Sequence, residues 1–309
     1  MSTQLAVRSA ASDDPVAGDP FDLHDAAAYR RWRERKLDER ARSTQDLLVD
    51  VADPLAPSPD ERTALLRGIG RHNIALYRSP LRAEDATIPR ALGASLGLHR
   101  LDANWLADTD GISRIEVAEP DAEQPRGEFI PYTSQAIGWH TDGYYHPPAR
   151  RIHAMILHCV RPGAQGGENQ LLDHELAYIA LRDAAPEAVR ALMHPEAMTL
   201  PGRTDDEGVA RPAQSGPVFS VHAGALHMRY TARSRSIAWR DDAATRAATA
   251  LLTRLLGGGL PWVLTVRLEP GTGLVGHNIL HTRSGFVDDP RAPRLLYRAR
   301  FLDRVAVAA

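Results

Sequence analysis

The sequence contains one cysteine, one lysine and no long apolar run. Of 309 residues, only Cys159 is a cysteine and only Lys36 is a lysine. A single cysteine excludes an internal disulfide and a cysteine-rich zinc site. Its position in the apolar run 156–160 predicts a buried free thiol rather than a nucleophile.

Membrane and nucleic-acid partners are also disfavoured. No stretch reaches the roughly 18 apolar residues of a membrane-spanning helix, and the N-terminus lacks the basic start and apolar core of a secretory signal. The net charge is -2 and the pI about 6.7, so no overall positive charge would attract nucleic acid. We therefore expect a cytoplasmic protein with a small-molecule partner.

The order of predicted elements favours an α+β, mainly β domain. Residues 1–20 are small and polar and predict a flexible tail, and residues 21–309 predict one domain. Helices are predicted over 25–46, 59–71, a segment ending near 97, 173–182, 186–193 and 241–256. Strands are predicted over 74–77, 151–160, 169–172, 218–221, 225–230, 262–268, 274–282 and 295–302. Helices followed mainly by strands favour an antiparallel barrel or jelly roll wrapped by helices.

Residues 101–139 show little periodicity and many Asp, Pro and Gly residues. A long irregular segment inside a domain is typical of a functional loop. Because it directly precedes the run GWHTDGYY (138–145), we predict a lid over a site there.

His140 and Asp142 are candidate metal ligands in that run. Residues i and i+2 of an extended segment project to the same side, so an imidazole and a carboxylate can converge on one ion. A single His-x-Asp is weak evidence, and polar residues of an ordinary turn are the simpler interpretation. A third ligand is needed.

The segment 276–286 supplies His277 and His281. On one strand these histidines would lie about 13 Å apart, so they cannot bind the same metal. Two histidines and one carboxylate form the facial triad of non-haem iron(II) oxygenases. His281 is preferred because Arg294 follows and offers a counter-charge for a dicarboxylate cosubstrate.

Strand alternation after Arg294 places Arg298 and Arg300 on one face and packed apolar residues on the other. Buried guanidinium groups on this face would favour an anionic ligand. For Arg300 we expect exposure to solvent.

The sequence resembles the iron(II)- and 2-oxoglutarate-dependent dioxygenases of the taurine dioxygenase family, which includes gamma-butyrobetaine hydroxylase. The likeness extends over about 77–304 and is strongest in WHTDGYY, LHCVRPGAQGGEN, NILHTRSGF and RLLYRARFLD. It implies a double-stranded β-helix, or jelly roll, with surrounding helices. It is also compatible with a homo-oligomer, since family members are commonly dimers or tetramers.

The resemblance implies roles for individual residues. His140, Asp142 and His281 would bind Fe(II), and Arg294 would bind the distal carboxylate of 2-oxoglutarate. Asn169 stands where family members often have a threonine that contacts the cosubstrate, and Arg298 matches a position that contacts cosubstrate or an anionic substrate.

The expected reaction is oxidative decarboxylation of 2-oxoglutarate, with O2, coupled to hydroxylation. The substrate would be a small polar molecule: an amino acid, a sulfonate or a quaternary amine. Tyr144 and Tyr145 would line its pocket, one of them serving core packing. Two alternatives remain: a zinc hydrolase with the same three ligands, and a non-catalytic jelly-roll binding protein.

Overall fold

The structure is a computed structural model that describes residues 18–102, 108, 110–118, 127, 129–204, 210–233 and 237–306. The α-helices are α1 (Ala26–Glu39), α2 (Pro59–His72), α3 (Ile88–Ser95), α4 (His174–Ala184), α5 (Pro186–Leu192) and α6 (Ala243–Arg254). The strands are β1 (Leu48–Asp50), β2 (Ile74–Arg78), β3 (Ser113–Ile115), β4 (Ile137–His140), β5 (Ala154–Arg161), β6 (Gln165–Gly166), β7 (Asn169–Leu172), β8 (Met198–Leu200), β9 (Arg203–Thr204), β10 (Ala210–Arg211), β11 (Gln214–Gly216), β12 (Phe219–His222), β13 (Ala225–Met228), β14 (Ala238–Trp239), β15 (Leu264–Val266), β16 (Thr272–His277), β17 (Leu280–Arg283), β18 (Phe286–Val287) and β19 (Leu295–Phe301).

Two sheets organise the fold. The six-stranded sheet has the order β1-β2-β16-β5-β19-β3, and the four-stranded sheet has the order β15-β7-β17-β4. Only β1 and β2 pair in parallel within these sheets as described; the other neighbours are antiparallel. The α+β class with antiparallel sheets is therefore confirmed, and the described strands form open sheets rather than a closed barrel.

Strand β5 shows how the six-stranded sheet is packed on both faces. Met155, Leu157 and Cys159 face a core shared with Leu171 of the four-stranded sheet. The alternate residues pack, together with the apolar face of β19, against α2 and α3. The prediction of a strand buried on both sides is confirmed, as is the buried free thiol of Cys159.

Local signals placed several helices accurately. Ser58 and Glu61 form the capping box of α2, and Pro59 is its first residue. By contrast, the helix predicted over 25–46 is too long: α1 ends at Glu39, and a 3-10 turn at Thr44–Leu47 leads into β1. In the described part of the chain, no helix is long and apolar enough to cross a membrane.

The strand predicted over 274–282 is in fact two strands. β16 ends at His277 in the six-stranded sheet, and β17 begins at Leu280 in the four-stranded sheet. The chain therefore crosses between the sheets at Asn278 and Ile279. The periodicity does not reveal this crossing because residues 274–283 are all buried.

Part of the predicted lid (101–139), together with residues 1–17 of the predicted tail, lies outside the described residues. Both ends of the 101–139 segment are described. It begins at Leu101 and Asp102, and it ends with the 3-10 turn Ile130–Tyr132 and the first part of strand β4.

Candidate active site

His140 and His281 face each other across the pairing of β4 with β17. Their ring centroids lie 4.2 Å apart. Nδ1 of His140 is 2.9 Å from the carbonyl oxygen of Gly138, and Nδ1 of His281 is 3.1 Å from that of Ile279. A carbonyl can only accept, so each Nδ1 carries the hydrogen. The Nε2 lone pair of both rings is thereby left free to bind a metal.

Asp142 lies in the turn directly after β4, and the left-handed backbone of Gly143 makes this turn possible. Gly143 has φ +64°, and a Cβ there would come within 2.4 Å of Ile152. The turn brings Asp142 Oδ1 to 3.8 Å from His140 Nε2. The sequence-based expectation that the two side chains converge is met, although Asp142 is not on the strand itself.

Asn278 fixes the backbone of Asp142. Its Oδ1 accepts from the Asp142 N–H at 2.7 Å, and its Nδ2 donates to the Asp142 carbonyl at 2.7 Å and to the Ile152 carbonyl at 3.0 Å. This amide lies in the crossing between β16 and β17, three residues before His281. One side chain therefore connects two of the candidate ligands.

The three side chains form a pre-arranged metal site. One ligand atom from each of His140, Asp142 and His281 lies within 4.8 Å of the others, the one such group of three found among the described residues. Asp142 Oδ2 is buried and has no hydrogen-bond partner. A buried carboxylate oxygen without a donor suits a cation, so the donor set fits iron(II).

Electrostatics keep these groups in the protonation states that metal binding needs. Burial and the neighbouring His281 lower the pKa of His140 to about 3, and burial lowers the pKa of His281. Burial alone would raise the pKa of Asp142, but Arg298 and Arg300 outweigh it and hold this pKa well below its usual range. At neutral pH the site therefore presents two neutral imidazoles and one carboxylate.

Arg294 lies just before β19 with a buried, incompletely bonded guanidinium. The residue is 4% exposed, and its Nη1 is buried without a partner. Its guanidinium carbon sits 4.9 Å from the ring centroid of Phe286, and burial lowers its pKa. A buried cation with an unused N–H fits a carboxylate ligand.

Asn169 on β7 is buried, but its polar atoms do not simply replace a threonine hydroxyl. Its Nδ2 donates to the Thr282 carbonyl at 2.9 Å, and the atom left without a partner is Oδ1. Oδ1 is an acceptor, whereas a carboxylate needs donors. A direct contact with 2-oxoglutarate would have to use the second amide hydrogen.

The expectation that Arg300 faces solvent is wrong. Arg300 is 3% exposed, donates from Nη2 to Asp102 at 2.6 Å and from Nη1 to Tyr145 Oη at 2.8 Å. The buried partner Asp102 also accepts from Arg150 and His146. Alternation predicted the face correctly, but the acid that makes burial possible is almost 200 residues away in sequence.

Arg298, on the same face of β19, reaches the metal site. Its Nη1 lies 3.4 Å from Asp142 Oδ1, and its Nε is buried without a partner. This unused N–H is available to donate to an anionic cosubstrate or substrate.

Tyr144 and Tyr145 have different surroundings. The two rings pack edge to face at 5.3 Å, and both lie against the core of α4, α5 and α6. Tyr144 also lines a cleft that reaches Asp142. Tyr145 accepts from Arg300 instead.

Other histidines are not ligands of this site. His277 Nδ1 donates to Asn73 Oδ1 at 2.7 Å, and His158 pairs with the Tyr77 hydroxyl at 2.9 Å. His146 bonds Asp102. These contacts engage the three rings outside the candidate metal site, in agreement with the preference for His281 over His277.

Sequence reasoning missed Asn278 and Asp102. Asn278 stands in the quoted run NILH, but an asparagine side chain gives no periodic signal for a contact with a backbone 136 residues away. Asp102 lies at the start of the irregular segment, where acidic residues are common. Only the folded chain brings either residue to the site.

Comparison with known proteins adds to this geometry. The profile of the family described as taurine catabolism dioxygenase TauD, TfdA family matches residues 25–300. The chain belongs to the taurine catabolism dioxygenase TauD/TfdA family. As a member, it is a 2-oxoglutarate-dependent non-haem iron dioxygenase, with Fe(II) as cofactor and 2-oxoglutarate and O2 as cosubstrates.

Two curated relatives are uridine-5'-phosphate dioxygenases. The one from Amycolatopsis sp. is 34% identical over 275 residues, which cover 84% of this chain and 98% of the relative. The one from Streptomyces sp. is 34% identical over 179 residues, which cover 54% of this chain and 62% of the relative.

Solved structures share the fold of this TauD/TfdA family member. The non-haem iron oxygenase OrfP with Fe and alpha-ketoglutaric acid has a TM-score of 0.57 at 18% identity, covering 81% of this chain and 85% of OrfP. An asparagine oxygenase with Fe(II), hydroxyasparagine and succinate has a TM-score of 0.54 at 17% identity, covering 79% and 78%.

Proposed function

We propose that His140, Asp142 and His281 bind Fe(II) in this dioxygenase. The observation that carries the assignment is the convergence of three ligand atoms within 4.8 Å, with one carboxylate oxygen buried and unpaired. Iron(II) bound there would supply, with 2-oxoglutarate and O2, the oxidant that removes hydrogen from the substrate. We also assign the two facing sheets as the two faces of a double-stranded β-helix, with the metal ligands between them.

Arg294 is proposed to bind the distal carboxylate of 2-oxoglutarate. Its buried Nη1 lacks a partner, and a planar guanidinium can bind both carboxylate oxygens. We assign the second amide hydrogen of Asn169 and the unused Nε of Arg298 as supporting donors to the cosubstrate.

For the substrate, we favour a nucleoside 5'-phosphate such as uridine 5'-phosphate. The observation that carries this proposal is the 34% identity over 98% of a uridine-5'-phosphate dioxygenase. The cleft beside Asp142 supports an anion, since the guanidinium of Arg151 lines it.

The charge of the cleft disfavours a quaternary amine. A cage for such a cation needs free aromatic faces, but Tyr145 is engaged by Arg300 and lies 5.9 Å from its guanidinium carbon. The structures with arginine-derived and asparagine-derived ligands are under 20% identical to this chain, so they inform the fold rather than the substrate.

The 101–139 segment is proposed to close over this cleft. Asp102 anchors one end through Arg300, His146 and Arg150. The other end is held by Arg283, whose guanidinium donates to the carbonyls of Pro131, Thr133 and Gln135. Because both of its ends are held beside the metal ligands, the segment can cover the cleft and exclude water from it.

The proposed reaction is tested by succinate formation. The purified protein with Fe(II), 2-oxoglutarate and O2 should produce succinate faster with uridine 5'-phosphate than with uridine, arginine, taurine or choline. His281→Ala should produce no succinate above the protein-free background. If uridine 5'-phosphate does not stimulate succinate formation in the unsubstituted protein, the substrate assignment is wrong.

A further inference from the structure

Arg151 and three histidines form a cluster beside the cleft, and two of them, Arg151 and His227, line it. The ring centroids of His153, His222 and His227 lie 5.3 to 6.2 Å apart. Arg151 Nη1 lies 3.4 Å from His222 Nδ1. The histidines come from the start of β5 and from both strands of the β12–β13 hairpin, so the cluster is assembled from distant parts of the chain.

The cluster lacks a compensating acid. In the part of the chain that the structure describes, Arg151 forms no ion pair with a carboxylate, and burial lowers its pKa. Burial followed by the positive charge of Arg151 also lowers the pKa of His222 and, well below its usual value, that of His227. An unpaired guanidinium beside buried imidazoles is costly unless an anion binds it.

Neighbouring arginines are already satisfied. Arg229 donates to the carbonyls of Tyr144, Met198, Gly216 and Gln214. Arg150 pairs with Asp102. Arg151 is therefore the arginine of the cleft wall whose charge is available to a ligand.

A chain of hydrogen bonds also leaves the Ser220 hydroxyl free to donate. Arg151 can only donate, so His222 Nδ1 accepts and His222 Nε2 carries the hydrogen. That N–H lies 3.0 Å from Ser220 Oγ and donates to it, which leaves the Ser220 hydroxyl hydrogen free. His227, 6% exposed, also lines the cleft, and its ring makes no hydrogen bond among the described residues.

We propose that Arg151, Ser220 and His227 form the subsite that binds the phosphate group of the substrate. This inference rests on the proposed function, because it assigns the phosphate of that substrate to a place in the cleft. A phosphate monoester offers three acceptor oxygens, and the subsite offers a guanidinium, a hydroxyl and an imidazole N–H.

The test uses two probes, inorganic phosphate and uridine 5'-phosphate, with uridine as the phosphate-free reference. Binding to the anaerobic protein with Fe(II) and 2-oxoglutarate is measured by calorimetry. The unsubstituted protein should bind uridine 5'-phosphate at least about 10-fold tighter than uridine. Arg151→Met and His227→Phe should each lose about 10-fold or more for uridine 5'-phosphate and leave uridine binding unchanged.

Arg190→Met is the matched control, since it removes one arginine charge from the exposed face of α5 and should leave all binding constants unchanged. An unaltered visible band of the iron and 2-oxoglutarate complex in each variant shows that the fold and metal site are intact. Arg151→Lys, which keeps the charge, should restore part of the lost affinity.

The outcomes separate the two proposals. If uridine 5'-phosphate binds equally well to the unsubstituted protein and to both variants, the subsite is wrong and the proposed function stands. If Arg151→Met abolishes binding of inorganic phosphate but uridine 5'-phosphate is not oxidised, the subsite stands and the substrate assignment fails. If neither probe binds the unsubstituted protein, both are wrong.

Discussion

Asn278 holds both backbone polar groups of Asp142, with two hydrogen bonds of 2.7 Å. Because Asn278 occupies the crossing between the two sheets, the position of the candidate carboxylate ligand depends on the same segment that leads into His281. Asn278 therefore supports the metal site without being one of its three ligands.

Replacing Asn278 should therefore weaken iron binding. Asn278→Ala would leave the Asp142 N–H and carbonyl unpaired in a buried position, at a cost of about 1 to 3 kcal/mol for each group. We expect the Fe(II) affinity to fall by about 10- to 100-fold, measured by anaerobic titration. Gln170→Ala, an exposed change on β7, is the control. Equal Fe(II) affinity in the protein with and without Asn278→Ala would show that this amide does not position Asp142.

Removing the charge of Arg294 should impair cosubstrate binding selectively. Arg294→Met should raise the KM for 2-oxoglutarate by about 100-fold or more, because a buried charge-assisted pair is lost, while Fe(II) affinity stays the same. Arg291→Met, three positions earlier and exposed, is the matched control and should leave this KM unchanged. An unaltered KM in Arg294→Met would show that the distal carboxylate of 2-oxoglutarate binds elsewhere.

Lys36, the only lysine, stabilises the fold away from the site. Its Nζ lies 2.7 Å from Asp173 and 2.5 Å from Glu175, and the side chain is 7% exposed. Lys36→Met leaves two buried carboxylates without their cation and should lower the free energy of unfolding by about 3 to 5 kcal/mol. Urea denaturation measures the loss, with Arg35→Met on the exposed side of α1 as control. A loss no greater than that of the control would mean that the ion pairs add nothing.

Asp102 should make the free energy of unfolding depend on pH in the acidic range. Burial would raise its pKa, but the hydrogen bond from His146 and the charge of Arg300 lower it from 3.8 to about 2. A pKa depressed in the folded state stabilises the protein above the unfolded value, and the contribution disappears as the pH falls from about 4 to about 2. The free energy of unfolding of Asp102→Asn should lie below that of the parent protein at pH 6, and the difference should narrow towards pH 2. A constant difference across this range would contradict the assigned pKa.

The sequence predicts the parts of the site that depend on local order. The alternation along β19 follows from strand geometry. The short spacing of His140 and Asp142 also keeps them together, although the turn after β4 rather than the strand brings Asp142 to the site. The capping box of α2 likewise depends only on adjacent residues.

Contacts between distant segments account for what the sequence does not predict. Arg300 is buried because it forms an ion pair with Asp102, which is distant in sequence. The crossing between the sheets at Asn278 gives no sequence signal because it lies in a run of buried residues. The cluster of Arg151 with His153, His222 and His227 requires the β12–β13 hairpin to pack beside β5. No spacing rule relates residues brought together by packing alone.

The iron site itself is tested most directly by comparing substitutions of His277 and His281, which lie four positions apart. Anaerobic addition of Fe(II) and 2-oxoglutarate should produce the weak visible charge-transfer band of the chelate in the unsubstituted protein and in His277→Asn. His281→Ala should produce no band, since its Nε2 is one of the three converging ligand atoms. A band of full intensity in His281→Ala, or none in the unsubstituted protein, would contradict the assignment of His140, Asp142 and His281.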